Sequence, residues 1–119
     1  MKVVIADDSR VMRQIVIRTL RQAGYEWDIT EAADGAESLR LTAELKPDLV
    51  LSDWNMPEMT GIEMLRAMRS AGLDIPLGFV TSEGSDQMRE QADAAGALFL
   101  IAKPFTAETF RETIDPFLE

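Results

Sequence analysis

The chain has 119 residues, with 21 acidic against 12 basic side chains and a formal net charge of -9. That balance argues against contact with a nucleic-acid backbone, which needs clustered Lys and Arg. It carries neither cysteine nor histidine, which excludes disulfides, thiolate chemistry, Ser-His and Cys-His catalysis and His-based zinc sites, so any metal must be held by oxygen.

Short apolar runs alternate with helical patterns along the whole chain. Lys2 to Ala6 predicts a buried strand, continuous and β-branched. From about Ser9 to Ala23, Met12, Ile15, Val16, Leu20 and Ala23 recur at helical spacing, and Gly24 supplies a stop. Trp27 to Ala32 predicts a second, weaker strand; Asp34-Gly35 opens a helix to about Leu45, closed by Pro47. Asp48 to Ser52 predicts the third strand, Asn55-Met56-Pro57 a loop, and Gly61 to Ser70 the third helix. Pro76 to Thr81 predicts a strand, Ser85 to Ala95 a helix stopped by Gly96, and Ala97 to Ala102 the last strand. Thr106 begins a final helix that Pro116 should end or kink.

Repeated strand-then-helix units imply an α/β fold with a central five-stranded parallel sheet covered by helices on both faces. No repeat, linker or low-complexity stretch divides the chain, so residues 1–119 are expected to form a single domain. No apolar run approaches the ~20 residues needed to span a bilayer, and acidic residues follow Met1 too soon for a signal peptide. A soluble cytoplasmic protein without membrane contact is the expectation.

In open α/β sheets ligands bind beyond the carboxyl ends of the strands. The first strand delivers Asp7 and Asp8 there, the third Asp53, the fourth Thr81 and Ser82, and the fifth Lys103. Each alone has a structural explanation: Asp8-Ser9 and Thr81-Ser82 as helix caps, Asp53 as a turn residue, Lys103 as a solvated charge. Together they place polar chemistry at one edge from four of five strands. Clustered carboxylates repel, and a raised pKa or a bound cation must relieve them. A hard cation such as Mg²⁺ is satisfied by two or three carboxylates, a backbone carbonyl and water. A carboxylate can also act as a nucleophile and form an acyl phosphate. Such transfer needs in-line positioning and charge neutralisation, which Mg²⁺, Lys103 and the Thr81 hydroxyl could supply.

The Asp7-Asp8 pair, the run Lys46-Pro-Asp-Leu-Val-Leu-Ser-Asp-Trp-Asn-Met-Pro57, Gly61, Thr81-Ser82 and Lys103-Pro104 resemble the response-regulator receiver family. Trp54-Asn55 after Asp53 makes the chain most similar to the single-domain chemotaxis type. The resemblance, rather than the pattern, implies a flavodoxin-like (βα)5 three-layer sandwich with strand order 2-1-3-4-5. It further implies that Asp53 is phosphorylated, that Asp8 ligates Mg²⁺ (or Mn²⁺) directly, and that Asp7 acts through metal-bound water. The Asn55 carbonyl would complete the metal site. Thr81 and Lys103 would contact the phosphoryl group, and the Lys103-Pro104 bond would be cis. Without histidine the chain cannot carry the phosphohistidine donor itself. A histidine kinase or histidine phosphotransfer protein must supply it, and a downstream protein target is implied.

The switch region would comprise Ser82, Glu83, Leu100 and Pro104. Receivers usually carry Tyr or Phe three residues before the lysine; this chain has Leu100, and Phe99 points to the opposite face of its strand. Asn55 and Glu83 are the types found in rapidly cycling chemotaxis receivers, which implies a short-lived phosphoprotein. Met64 and Met68, at helical spacing, are expected in the core; Met56, Met59 and Met88 suit either core or an adaptable surface. Two alternatives stand beside the switch. A phosphohydrolase using an aspartyl-phosphate would want a second acid two residues after Asp53, where Asn55 stands, and a cap segment for a substrate pocket. A degenerate receiver would lack one of the key residues, and all are present. The chain is thus expected to catalyse only its own phosphoryl transfer and dephosphorylation, with no output domain to contact DNA.

Overall fold

A computed structural model of the chain describes residues 1–118. The elements follow in strict alternation: β1 (Lys2–Ala6), α1 (Arg10–Gln22), β2 (Asp28–Ala32), α2 (Gly35–Leu45), β3 (Leu49–Ser52), α3 (Gly61–Ser70), β4 (Leu77–Thr81), α4 (Asp86–Ala94), β5 (Phe99–Ala102) and α5 (Ala107–Leu118). The strands form one parallel sheet in the order β2-β1-β3-β4-β5, the flavodoxin-like order that the resemblance implied.

The strand sequences explain why the sheet is central. In β1, β3 and β4 nearly every residue is buried, as expected when helices cover both faces. Alternation then divides the core. Val4, Val50, Phe79 and Leu100 face one side, with Leu65, Met64 and Met68 of α3 and Ala92 of α4. Val3, Ile5, Leu51, Val80 and Ile101 face the other, with Val16 and Leu20 of α1 and Phe110 and Ile114 of α5. Each fully buried side chain of this size stabilises the fold by about 1.5–3 kcal/mol. The expected core methionines, Met64 and Met68, are both fully buried, and Met56 joins the same core.

Helix starts are written in the sequence by oxygen-bearing caps. Ser9, Asp34, Thr60 and Ser85 each accept a hydrogen bond from a backbone N–H of the first turn, and Thr60 with Glu63 forms a reciprocal capping box. Of the two outcomes expected at Pro116, an end or a kink, the end does not occur: α5 continues to Leu118. The carbonyl that the proline leaves unpaired belongs to exposed Glu112, where water can satisfy it. Meanwhile Ile114 is buried, and Phe117 packs on Phe99 with ring centroids 5.8 Å apart.

Candidate functional site

The sheet ladder runs one residue beyond the strands and carries polar side chains to a common level. Asp7 N–H donates to the Ala32 carbonyl at 3.0 Å, Asp53 N–H to Ala6 at 2.8 Å, and Lys103 N–H to Thr81 at 3.0 Å. Asp7, Asp8 and Asp53 consequently each offer a carboxylate oxygen within 4.8 Å of the others. They line a cleft of about 170 Å³ with Ser9, Met12, Val80, Ser82 and Lys103.

Burial grades the three acids. Asp7 is buried, Asp53 partly so, and Asp8 exposed. Asp7 Oδ1 accepts the Ser9 N–H at 2.8 Å, and Asp53 Oδ1 accepts the Trp54 N–H at 2.7 Å. Desolvation nevertheless dominates at Asp7 and pushes its carboxyl up to about 6, with the Asp53 and Asp8 charges adding to the effect and the Ser9 N–H opposing it. Asp53 is also raised, chiefly by burial and then by Asp8; the Trp54 N–H, the Thr81 hydroxyl and the Asn55 N–H resist the rise. Carboxylates held close and partly desolvated, with only oxygen donors, suit a hard divalent cation that would relieve this repulsion.

Thr81 is almost fully buried, and its hydroxyl also accepts the Glu83 N–H at 3.4 Å. Asn55, Ser82, Glu83 and Lys103 are exposed around the cleft. Lys103 shares the cleft but forms no ion pair with Asp53. Among the described residues the ion pairs are Arg13–Glu31 at 2.9 Å and Arg40–Glu44 at 3.4 Å. The Lys103-Pro104 peptide is cis.

The family model described as the response regulator receiver domain matches residues 3–115. The chain belongs to this family. Phosphoryl acceptance from a kinase in two-component signalling is the function of such receivers. The chain is 37% identical to chemotaxis protein CheY1 of Helicobacter pylori, a match covering 99% of this chain and 97% of the relative. It is also 37% identical to chemotaxis protein CheY of Pseudomonas aeruginosa, over 100% of this chain and 97% of that protein. Among solved structures, chemotaxis protein CheY4 of Vibrio cholerae superposes with a TM-score of 0.83 at 37% identity, over 97% of this chain and 96% of that one. A LuxR-family DNA-binding response regulator of Staphylococcus aureus gives a TM-score of 0.88 at 26% identity, covering 99% and 98% of the two chains.

In this receiver Leu100 is buried among Phe79 and Ala92 on the α3–α4 side of the sheet, whereas Phe99 packs on the opposite side against Phe117. Phe99 therefore does not stand in for an aromatic at position 100. Two supports of the receiver site escape a reading of motifs. Arg13 Nη1 donates to the Asp7 carbonyl at 2.6 Å while Nε pairs with Glu31, so α1 ties the ends of β1 and β2 together. Gly61 lies so close to the Asp53 carbonyl and the Phe79 ring that a Cβ would overlap both. An Arg one turn after the acidic pair was the available signal for the first. For the second the glycine was visible, but the approach behind it was not.

Proposed function

We propose that Asp53 accepts a phosphoryl group from a phosphohistidine and that the resulting acyl phosphate switches a protein-interaction surface. One observation supports this above all: three carboxylates meet within 4.8 Å at the edge where the Thr81 hydroxyl and Lys103 also stand. An Asp53 carboxylate oxygen attacks phosphorus in line. The new P–O bond forms as the P–N bond to the donor imidazole breaks, and the imidazole leaves with the electron pair. Thr81 donates its hydroxyl hydrogen to an equatorial phosphoryl oxygen, and the Lys103 ammonium, which forms no ion pair among the described residues, neutralises another. Asp7, Asp8, Asp53 and the Asn55 carbonyl would hold Mg²⁺ (or Mn²⁺), which when bound neutralises charge on the transferring group. Hydrolysis of the acyl phosphate resets the switch, with Asn55 and Glu83 flanking the path of water, so the chain turns over no other substrate. The donor is a separate histidine kinase or histidine phosphotransfer protein, and the readout is a protein target rather than nucleic acid or membrane. Residues 1–119 act in this reading as one receiver unit in the cytoplasm.

Intact mass after incubation with acetyl phosphate and Mg²⁺ tests the assignment. Wild type should gain one phosphoryl group, and Asp53→Asn, nearly isosteric but a poor nucleophile, should gain none while keeping its fold. Full incorporation in Asp53→Asn would show that another residue is the acceptor.

A further inference from the structure

Arg89 on α4 has carboxylates one turn away on its own helix, at Asp86 and Asp93, yet it reaches past them. Its Nη1 donates to the backbone carbonyl of Leu100 on β5 at 3.0 Å, and among the described residues it forms no ion pair. The loop ahead of α4 is pressed into the same place. A Cβ built on Gly84 would lie 2.8 Å from the Ala102 Cβ, 3.2 Å from Leu100 Cδ2 and 3.3 Å from Arg89 Nη2. One residue before Gly84, the Glu83 N–H binds the Thr81 hydroxyl at 3.4 Å, and that hydroxyl is one of the groups that hold down the pKa of Asp53. A series of neighbours thus leads from Thr81, beside Asp53, to β5 through Glu83, Gly84 and the Arg89 guanidinium.

We propose that Arg89 is a positioning residue that latches the loop of residues 82–85 against β5 and so sets how readily Thr81 turns to a phosphoryl group on Asp53. The inference rests on the reading of Asp53 as acceptor. For the Thr81 hydroxyl to engage a phosphoryl oxygen, Glu83 N–H must follow it or release it. If it follows, Gly84 is drawn off Leu100, Ala102 and Arg89. A contact present in one arrangement and lost in the other biases the equilibrium by its own free energy. Arginine suits this task because its planar fork offers several fixed donors, so Nη1 can bind the Leu100 carbonyl while Nη2 stands beside Gly84.

The test is a beryllofluoride titration at saturating Mg²⁺, followed by Trp54 fluorescence, with amide exchange at Glu83 and Gly84 measured separately in the metal-free protein. Arg89→Ala should bind beryllofluoride about fivefold tighter, the net worth of one hydrogen bond, and its Glu83 and Gly84 amides should exchange faster by a similar factor. Removing a cation near a bound anion would by itself weaken binding, so the sign separates a latch from simple electrostatics. Arg89→Lys, which keeps a cation and a donor but loses the planar fork, should fall between the two; a lysine variant equal to wild type would show that the fork is not needed and overturn the latch in this form. Unchanged or weaker binding in Arg89→Ala, or unchanged exchange at the two amides, would overturn it as well. No beryllofluoride response in wild type would instead defeat the acceptor reading, and the latch with it, whereas the metal-free exchange result does not depend on that reading.

Discussion

Ionising Asp7 costs the folded receiver free energy that a proton or a cation can restore. Its carboxyl is pushed from 3.8 to about 6, first by burial and then by Asp53 and Asp8. Because the folded pKa lies above the unfolded one, the folded chain holds this proton more tightly. The stabilisation is complete below the unfolded value and is lost as pH rises through about 6. At about 1.36 kcal/mol per pKa unit, the whole effect approaches about 3 kcal/mol, of which roughly half falls between about pH 5 and 7.5. Urea unfolding of metal-free protein at those two pH values measures it, with Asp7→Asn as the comparison that deletes the titration. Wild type should lose about 1–2 kcal/mol more than Asp7→Asn over that interval. Mg²⁺ should return stability to wild type at the higher pH and much less at the lower, where a proton competes for the same oxygen. Parallel pH profiles for the two proteins would refute the claim that Asp7 is the strained carboxylate of the cluster.

The Trp54 indole is buried 4.9 Å from the Phe79 ring, and its backbone N–H is bonded to Asp53, so Mg²⁺ should change its fluorescence; Asp8→Asn should lose most of that response, and an unchanged titration would remove Asp8 from the metal site. Gly61→Ala forces a methyl group onto the Asp53 carbonyl and the Phe79 ring, so it should lower stability by about 1–3 kcal/mol and slow acetyl-phosphate labelling, both checked on one preparation. Leu100 is only 8% exposed, so Leu100→Ala should cost about 2–5 kcal/mol in urea unfolding, yet disturb the beryllofluoride response less than Thr81→Ala does. Loss of that response in Leu100→Ala with Thr81→Ala unaffected would reverse the roles assigned to the two residues.

The parts legible in the sequence are those whose physics is local. Val3-Val4-Ile5 and Leu49-Val50-Leu51 can only be strands covered on both faces, and Thr60 with Glu63 marks a helix start through hydrogen bonds spanning three residues. The carboxylate site was partly legible for a related reason: a parallel sheet sends every strand end to one edge, so Asp7, Asp8 and Asp53 share that edge, and they meet within 4.8 Å because β1 lies beside β3. The order itself was not readable from pattern, because pairing β1 with β3 rather than with its later neighbours leaves no mark within either strand. At Pro116 a local rule met a tertiary one: the helix runs on to Leu118, with Ile114 buried and Phe117 packed on Phe99.

The arginines show where legibility stops. Arg13 and Arg89 both bypass a purely ionic role and donate to backbone carbonyls, of Asp7 and of Leu100. Every residue has a carbonyl, so no spacing or residue type announces such a bond, and only the fold decides which one lies within reach of a long, many-donor side chain. A motif at the strand ends can therefore name the groups that gather at the cleft. The groups that hold those residues in place bind through the backbone, and they become visible only when the strands and helices have been set beside one another.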